Sequence, residues 1–361
     1  MPTAHALAAD CGRLSGVQAA VYSSIAGPID VRDVPRPTCP ADGIVLRVGA
    51  TGICRSDWHA WRGREVVALP HIGGHEYAGT IAEIGAAVTG LAVGSRVTVP
   101  FVCGCGICEF CVAGDAQVCP DQRQPGFDLP GSFAEYVAVP AAAVNVVGLP
   151  DSVGFTEAAA LGCRFATAFR AVVAHGRAAP GQWVAVHGCG GVGLSAVMIA
   201  VALGARVIAI DVSDKALARA ASLGAEITID ATEGDPTSVG DAVQRATGGV
   251  HLSVDALGSA ATAVASVSSL RRRGRHIQVG LLHGPDVHPP LPLDRVIGWE
   301  LEIIGSHGMS ARDYPAMLDM VANGTLQPAK LVARTIGLDG VGAALAAMDR
   351  PGSDGITVAV P

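Results

Sequence analysis

Trp183-Val-Ala-Val-His187, then Gly188-Cys189-Gly190-Gly191-Val192-Gly193, then an apolar run to Leu203, is the stretch that decides the fold. The first five residues read as a buried strand, the glycines as a tight turn and Val192–Leu203 as a helix. In that order the glycines acquire a purpose: the backbone can approach a pyrophosphate closely, and the helix N-terminus faces the negative charge. A second strand, Ala205–Asp211, ends on a carboxylate 23 residues after Gly188. Placed there, Asp211 accepts hydrogen bonds from the adenosine ribose hydroxyls and repels a 2′-phosphate, which favours NAD over NADP. The alternative is an ordinary glycine-rich turn, with Asp211 merely capping the next helix.

Outward from this stretch the texture is regular. A helix Lys215–Leu223 and a strand Glu226–Asp230 follow, with further strands expected at Leu252–Ala256, Arg275–Gly280 and Glu302–Gly305. Apolar strands alternating with helices predict a parallel sheet covered on both faces, an α/β doubly wound domain. Upstream, Glu157–Ala174 reads as a helix broken near Gly162. Before it the chain is β-rich: Ile44–Val48, Gly79–Ile84, Arg96–Pro100 and Phe133–Val139 are short β-type runs punctuated by Gly and Pro, as in an antiparallel domain. The boundary between the two textures falls near Cys163–Ala174. Beyond Gly308 come an amphipathic helix, Tyr314–Ala322, and a helix-plus-strand tail.

Composition narrows the class of function. Of 361 residues half are hydrophobic and 16% are charged, which excludes intrinsic disorder, and the length suits two domains. A net charge of −7 gives no field for a phosphate backbone, so no nucleic-acid partner is expected. The run Ala178–Ala205 carries no fixed charge, yet its Pro and six glycines exclude a continuous membrane helix. Met1–Gly16 lacks an apolar core of signal-peptide length, so a cytoplasmic location is the expectation. In a reducing compartment the ten cysteines read as ligands or catalysts before disulfides.

Two cysteine constellations carry that expectation. Cys105-x2-Cys108-x2-Cys111-x7-Cys119, interleaved with Gly104, Gly106 and Gly114, can wrap one tetrahedral Zn²⁺; four protein ligands close the sphere, so the site is structural. Cys103 breaks the spacing and stands aside, and scattered thiols or disulfides are the competing account. The second constellation is dispersed: Cys54-Arg55-Ser56-Asp57-Trp58-His59, then Gly74-His75-Glu76, then Gly162-Cys163. Two thiolates and an imidazole leave a fourth zinc position open, as a catalytic zinc requires. Spacing alone does not establish that these three converge.

Taken together, these motifs resemble the zinc-dependent medium-chain alcohol dehydrogenases, in the family's order and from about Val17 to near the C-terminus. The resemblance implies that Cys54, His75 and Cys163 ligate the catalytic zinc, with Asp57 orienting the imidazole and Glu76 behind the metal. It implies a proton relay through Ser56 and His59, a pyrophosphate contact from Arg55, Thr167 beside the nicotinamide and Phe101 in the substrate pocket. Gly188, Gly190, Gly191, Val192, Gly193 and Asp211 become the dinucleotide site. Two zinc ions per subunit and NAD follow, with an alcohol or carbonyl substrate and no membrane partner. So does a GroES-like catalytic domain of residues 1–164 and 307–361, with the Rossmann domain inserted at 165–306. Assembly as a homotetramer or dimer is implied as well. Residues Met1–Gly16 lie outside the resemblance, and around Ile356 the family's basic cofactor contact has no counterpart.

Other features take plainer roles. Arg271-Arg272-Arg273-Gly274-Arg275 could grip a 2′-phosphate or a partner subunit, but reads more simply as a basic helix end before a strand. His71 is assigned to a pocket rim or the surface, Trp58 and Trp61 to the pocket surroundings with Glu65 further on, Cys189 to the place of a small residue fitted between the loop glycines, and Cys11 and Cys39 to ordinary thiols. No role is assigned to His187, His276 or His307. A reductase of an activated C=C or iminium bond needs neither Ser56 nor His59. A non-catalytic zinc and nucleotide binding protein has no use for the relay or an open zinc position.

Overall fold

The computed structural model describes residues 16–350 and 355–361. The Met1–Gly16 extension, apart from Gly16, and Cys11 lie outside the described residues. A six-stranded parallel sheet runs in the order Ile227–Asp230, Arg206–Asp211, Trp183–His187, Val250–Asp255, Leu270–Gln278, Glu302–Gly305, so the first strand in sequence lies third. This doubly wound order reverses direction at Trp183–His187, and ligands of such sheets bind outside the carboxyl ends of the strands at that point.

Both faces of the three central strands, Arg206–Asp211, Trp183–His187 and Val250–Asp255, are largely buried, which is why they are mostly apolar without alternation. Val184, Val186, Val207 and Ala209 face one core with Leu194, Val197 and Ile199 of the helix Gly191–Ala202. Their neighbours Ala185, Ile208 and Ile210 face the other, against Val239, Val243, Ala265 and Val267. Those last four sit on two helices, Pro236–Thr247 and Ala260–Ser268, that the sequence reading did not place.

The β-rich unit is a seven-stranded sheet in the order Val332–Ile336, Ile356–Ala359, Ile44–Ile53, Glu76–Ile84, Arg96–Val99, Val147–Gly148, with Tyr136–Val139 also on Ile44–Ile53; Val17–Tyr22 and Ile29–Val34 form a separate antiparallel pair. The last strand of the chain therefore pairs with the strand that precedes Cys54. One apolar cluster runs from Ala50 and Ala78 through Phe165 into the parallel-sheet helices, so the two sheets share a core.

Two expectations need correction. The segment Phe155–His175 is not broken at Gly162; it stays helical and widens into π-type turns at Leu161–Phe165 and Arg170–His175. A Cβ at Gly162 would press on Glu76 Cα, so that glycine serves a close approach and not a stop. The arginine run lies inside the strand Leu270–Gln278, not at a helix end. Its members have local partners: Arg271 with His251, Arg273 with Glu300, Arg275 with Glu302, and Arg272 over the Trp299 ring.

Candidate active site

Cys54 caps a short helix, Arg55–Trp61, and the cap explains much of the site. Asp57, at the third helical position, accepts from the Cys54 backbone N–H at 2.9 Å, from the Gly74 N–H at 3.0 Å and from His75 Nδ1 at 2.8 Å. One buried carboxylate thus ties two segments together. It also fixes the His75 tautomer, because Nδ1–H donates to Asp57 and Nε2 is left with its lone pair. His75 Nε2 is buried and has no partner among the protein atoms.

That lone pair does not point into empty chemistry. The Cys54 and Cys163 sulfurs, a His75 ring nitrogen and a Glu76 carboxylate oxygen all lie within 4.8 Å of one another. Cys54 is held as the more acidic thiol, chiefly by a hydrogen bond with Cys163, whose own thiol is pushed up by the same contact. An orphaned imidazole nitrogen facing two thiols fits a tetrahedral Zn²⁺ and suits no apolar core.

Glu76 is fully buried, and burial pushes its carboxyl up while Arg164 pulls it down. Arg164 follows Cys163 directly and meets both Glu76 oxygens. The sequence reading passed over Arg164, although one charge in the apolar run 158–169 was a visible signal.

A cleft of about 1070 Å³ opens beside these residues. Ser56 and His59, three apart on the helix Arg55–Trp61 and so on one face, both line it. His59 Nδ1 is buried without a partner, and burial, reinforced by Arg64 and His283, pushes its pKa down to about 4. Arg55, Phe101 and Thr167 also line the cleft, as do Gly188, Gly190, Gly191 and Val192 of the glycine turn. Gly193 lies behind the turn, where a Cβ would collide with the Gly188 carbonyl. Asp211 accepts from the backbone N–H groups of Cys189, at 2.5 Å, and Ser213, at 2.9 Å.

Phe127, unforeseen in the sequence, joins Phe101 around His75, with ring centroids 5.0 and 6.1 Å away. His283 reaches in from the other domain to 5.5 Å from the His59 ring. Glu65 and His307 line the cleft, whereas Trp58 and Trp61 do not. Those two indoles are buried in a satellite core, their Nε1–H groups donating to Asp349 and the Gly27 carbonyl. His71 is likewise buried, bonded to the Gly126 carbonyl, and belongs to neither rim nor surface.

A second cluster lies apart from the cleft. Cys105, Cys108, Cys111 and Cys119 bring four sulfurs within 4.8 Å. Backbone N–H groups of Cys108 and Cys111 donate to the preceding cysteine sulfurs, and that of Cys105 to Cys119, each at 3.4 Å. Backbone N–H groups of Ile107 and then Cys108 hold the Cys105 thiol down to about 7, whereas burial pushes the Cys111 thiol up to about 12 and raises that of Cys119. Cys103 stays outside the cluster, buried, its thiol pushed up to about 12.

The fold and these two thiol clusters are those of a zinc-binding dehydrogenase with a Rossmann-type parallel sheet. Residues 40–151 match the alcohol dehydrogenase GroES-like domain family and residues 191–323 the zinc-binding dehydrogenase family. The chain is 35% identical over 314 residues to an alcohol dehydrogenase of Geobacillus stearothermophilus, covering 86% of this chain and 90% of that one. It superposes on the alcohol dehydrogenase TADH from Thermus sp. ATN1 with a TM-score of 0.87 at 31% identity, over 95% and 99% of the two chains. A cobalt- and zinc-bound thermostable alcohol dehydrogenase from Pyrobaculum aerophilum gives 0.82 at 27% identity, over 96% and 99%. This chain belongs to the zinc-dependent medium-chain alcohol dehydrogenase family.

Proposed function

We propose that this chain transfers hydride reversibly between a small alcohol and NAD, with Cys54, His75 and Cys163 holding a catalytic Zn²⁺. The observation that carries the reading is the orphaned Nε2 of His75, facing two thiols in the cleft that also holds the glycine turn. Bound by Cys54, His75 and Cys163, Zn²⁺ would supply Lewis acidity to an alcohol hydroxyl, and a nicotinamide in the cleft would supply the hydride acceptor. The chain's own residues do the remaining work. Ser56 Oγ takes the hydroxyl proton, and His59, neutral because it is half-buried among cations, passes it to solvent. Arg55 and the N-terminus of the helix Gly191–Ala202 face the cofactor pyrophosphate and Thr167 the nicotinamide, all from the cleft lining; Asp211, which is not among the lining residues but bonds the Cys189 N–H of the glycine turn, takes the adenosine ribose. Phe101 and Phe127 supply apolar walls that exclude water from the reacting carbon.

Several finer assignments belong to the same reading. The Cys105–Cys119 lobe holds a second, structural zinc, for two per subunit. Residues 1–164 and 307–361 form the catalytic domain and 165–306 the nucleotide domain; support comes from the return of Val332–Ile336 and Ile356–Ala359 to the sheet of Ile44–Ile53. A homotetramer or dimer is favoured by the edge strand Glu302–Gly305, with Ile303 and nearby Ile297 outward. The nine described cysteines are all free, which suits a reducing cytoplasm, and no described helix is long and apolar enough to cross a membrane. The deciding experiment offers primary, secondary and benzylic alcohols with NAD and with NADP to protein of known zinc content. Reduced cofactor should form with NAD; turnover with NADP alone contradicts the Asp211 assignment, and no turnover by zinc-loaded protein contradicts the activity.

A further inference from the structure

Nothing in the donor count keeps the Cys54–His75–Cys163 site open. A Glu76 oxygen lies within the same 4.8 Å of the two sulfurs and the imidazole nitrogen that those lie of one another. Four protein donors make a closed, structural sphere, whereas a substrate oxygen needs a vacant position. Some other group must withdraw the carboxylate.

Arg164 has the required geometry. Its Nε donates to Glu76 Oε1 at 2.9 Å, its backbone N–H donates to the same oxygen at 3.1 Å, and Nη2 meets Oε2. Both oxygens are therefore engaged by a planar fork that a carboxylate matches in two places. The pair is buried, Glu76 completely and Arg164 to 7% exposure, so each charge depends on the other. Without the guanidinium, the carboxylate's nearest compensating charge is a dication in the thiolate site.

Glycines leave the room that the pair occupies at the edge of the cleft. A Cβ at Gly191 would collide with Arg164 Cδ, and one at Gly52 would strike Glu76 Oε2 and crowd Arg164 Nη2. With Gly162 against Glu76 Cα, three glycines from separate segments make the chamber that this ion pair fills. The π-type turn Leu161–Phe165 delivers Cys163 to the sulfur cluster and Arg164 to Glu76 from consecutive positions.

Resting on the reading of Cys54, His75 and Cys163 as metal ligands, we propose that Arg164 is a positioning residue that holds Glu76 off the metal and so keeps one coordination position free. The test is spectroscopic and uses the full chain reconstituted with Co²⁺, titrated with imidazole as a small ligand for a vacant position. The closed four-cysteine site has no vacancy, so imidazole-dependent changes in visible absorption report the cleft alone. Wild-type protein responds; Arg164→Met, at equal cobalt content, needs about 10-fold more imidazole or more, the scale expected when an outer partner of a metal site is lost. Arg164→Met combined with Glu76→Gln recovers the response, because the amide is a poor ligand and needs no counter-charge. An Arg164→Met protein that binds imidazole like wild type, or a double variant that does not recover, overturns the proposal. Should Arg164→Met not fold, Glu76→Gln alone decides: an unchanged cobalt spectrum before imidazole supports the clamp, and an altered one shows Glu76 already on the metal and overturns it. Wild-type protein with no imidazole response removes the metal-site reading, and the clamp with it.

Discussion

Ser56 and His59 lie one turn apart on a helix too short to be stable alone, and their alignment depends on Asp57 between them, which pins that helix to the Gly74–His75 segment. Ser56→Ala is expected to lower turnover by roughly 100-fold or more at unchanged zinc content, the scale of lost acid–base catalysis. Asp57→Asn removes the charged acceptor of the His75 proton, and zinc affinity of the cleft site, read by chelator competition, should fall by about 10- to 100-fold. At this scale the sequence was most legible where a residue type has one chemical use: thiols at x2 spacing, a Gly-His-Glu triplet, a strand ending in Asp. It was least legible where a residue acts on another from afar. Nothing in the spacing joins Arg164 to Glu76, 88 positions upstream, or His283 to His59.

Elements show the same division. The strand Trp183–His187, its glycine turn and the helix Gly191–Ala202 could be drawn from the sequence because the strand is buried on both faces and the turn needs glycine at Gly188 and Gly193. Gly188 sits at φ +88°, where a side chain is strained, and Gly193 abuts the Gly188 carbonyl. Gly193→Val should weaken binding of the nicotinamide dinucleotide, measured by titration calorimetry, by more than tenfold while zinc content is unchanged, since the turn lies on a different element from either thiol cluster (a tenfold loss is ~1.4 kcal/mol). The four-cysteine lobe makes the complementary case. Cys111→Ser should cost about one zinc per chain and lower the melting temperature, because metal binding there is folding energy for a lobe with exposed Ile107, Phe110 and Val112 and little core of its own. The π-type turns of Phe155–His175 were not legible: a glycine inside a helix and a glycine ending one look alike until the neighbouring strand is known.

Across the molecule, buried histidines make stability depend on pH. His187, at the end of a central strand and bonded to Ser269, is pushed down to about 3 by burial and then by His276, itself lowered by burial. Unfolded, each titrates near ~6.5. Between those values the unfolded chain binds more protons, so the stability these residues contribute is complete above ~6.5 and is lost as pH falls towards 3. Urea midpoints should therefore drop from pH 7.5 to pH 5, and His187→Gln should flatten that slope. By itself the sequence determined the class of each unit and pointed to the segments that meet at the cleft and at the four-thiol cluster, since periodicity, turn chemistry and ligand spacing are local properties. Only the tertiary structure decided that the chain's last strand pairs beside the one leading to Cys54, that Trp58 and Trp61 serve a core and not the cleft, and that an arginine holds Glu76. Those outcomes depend on which distant surfaces meet, and burial and charge compensation have no value until they do.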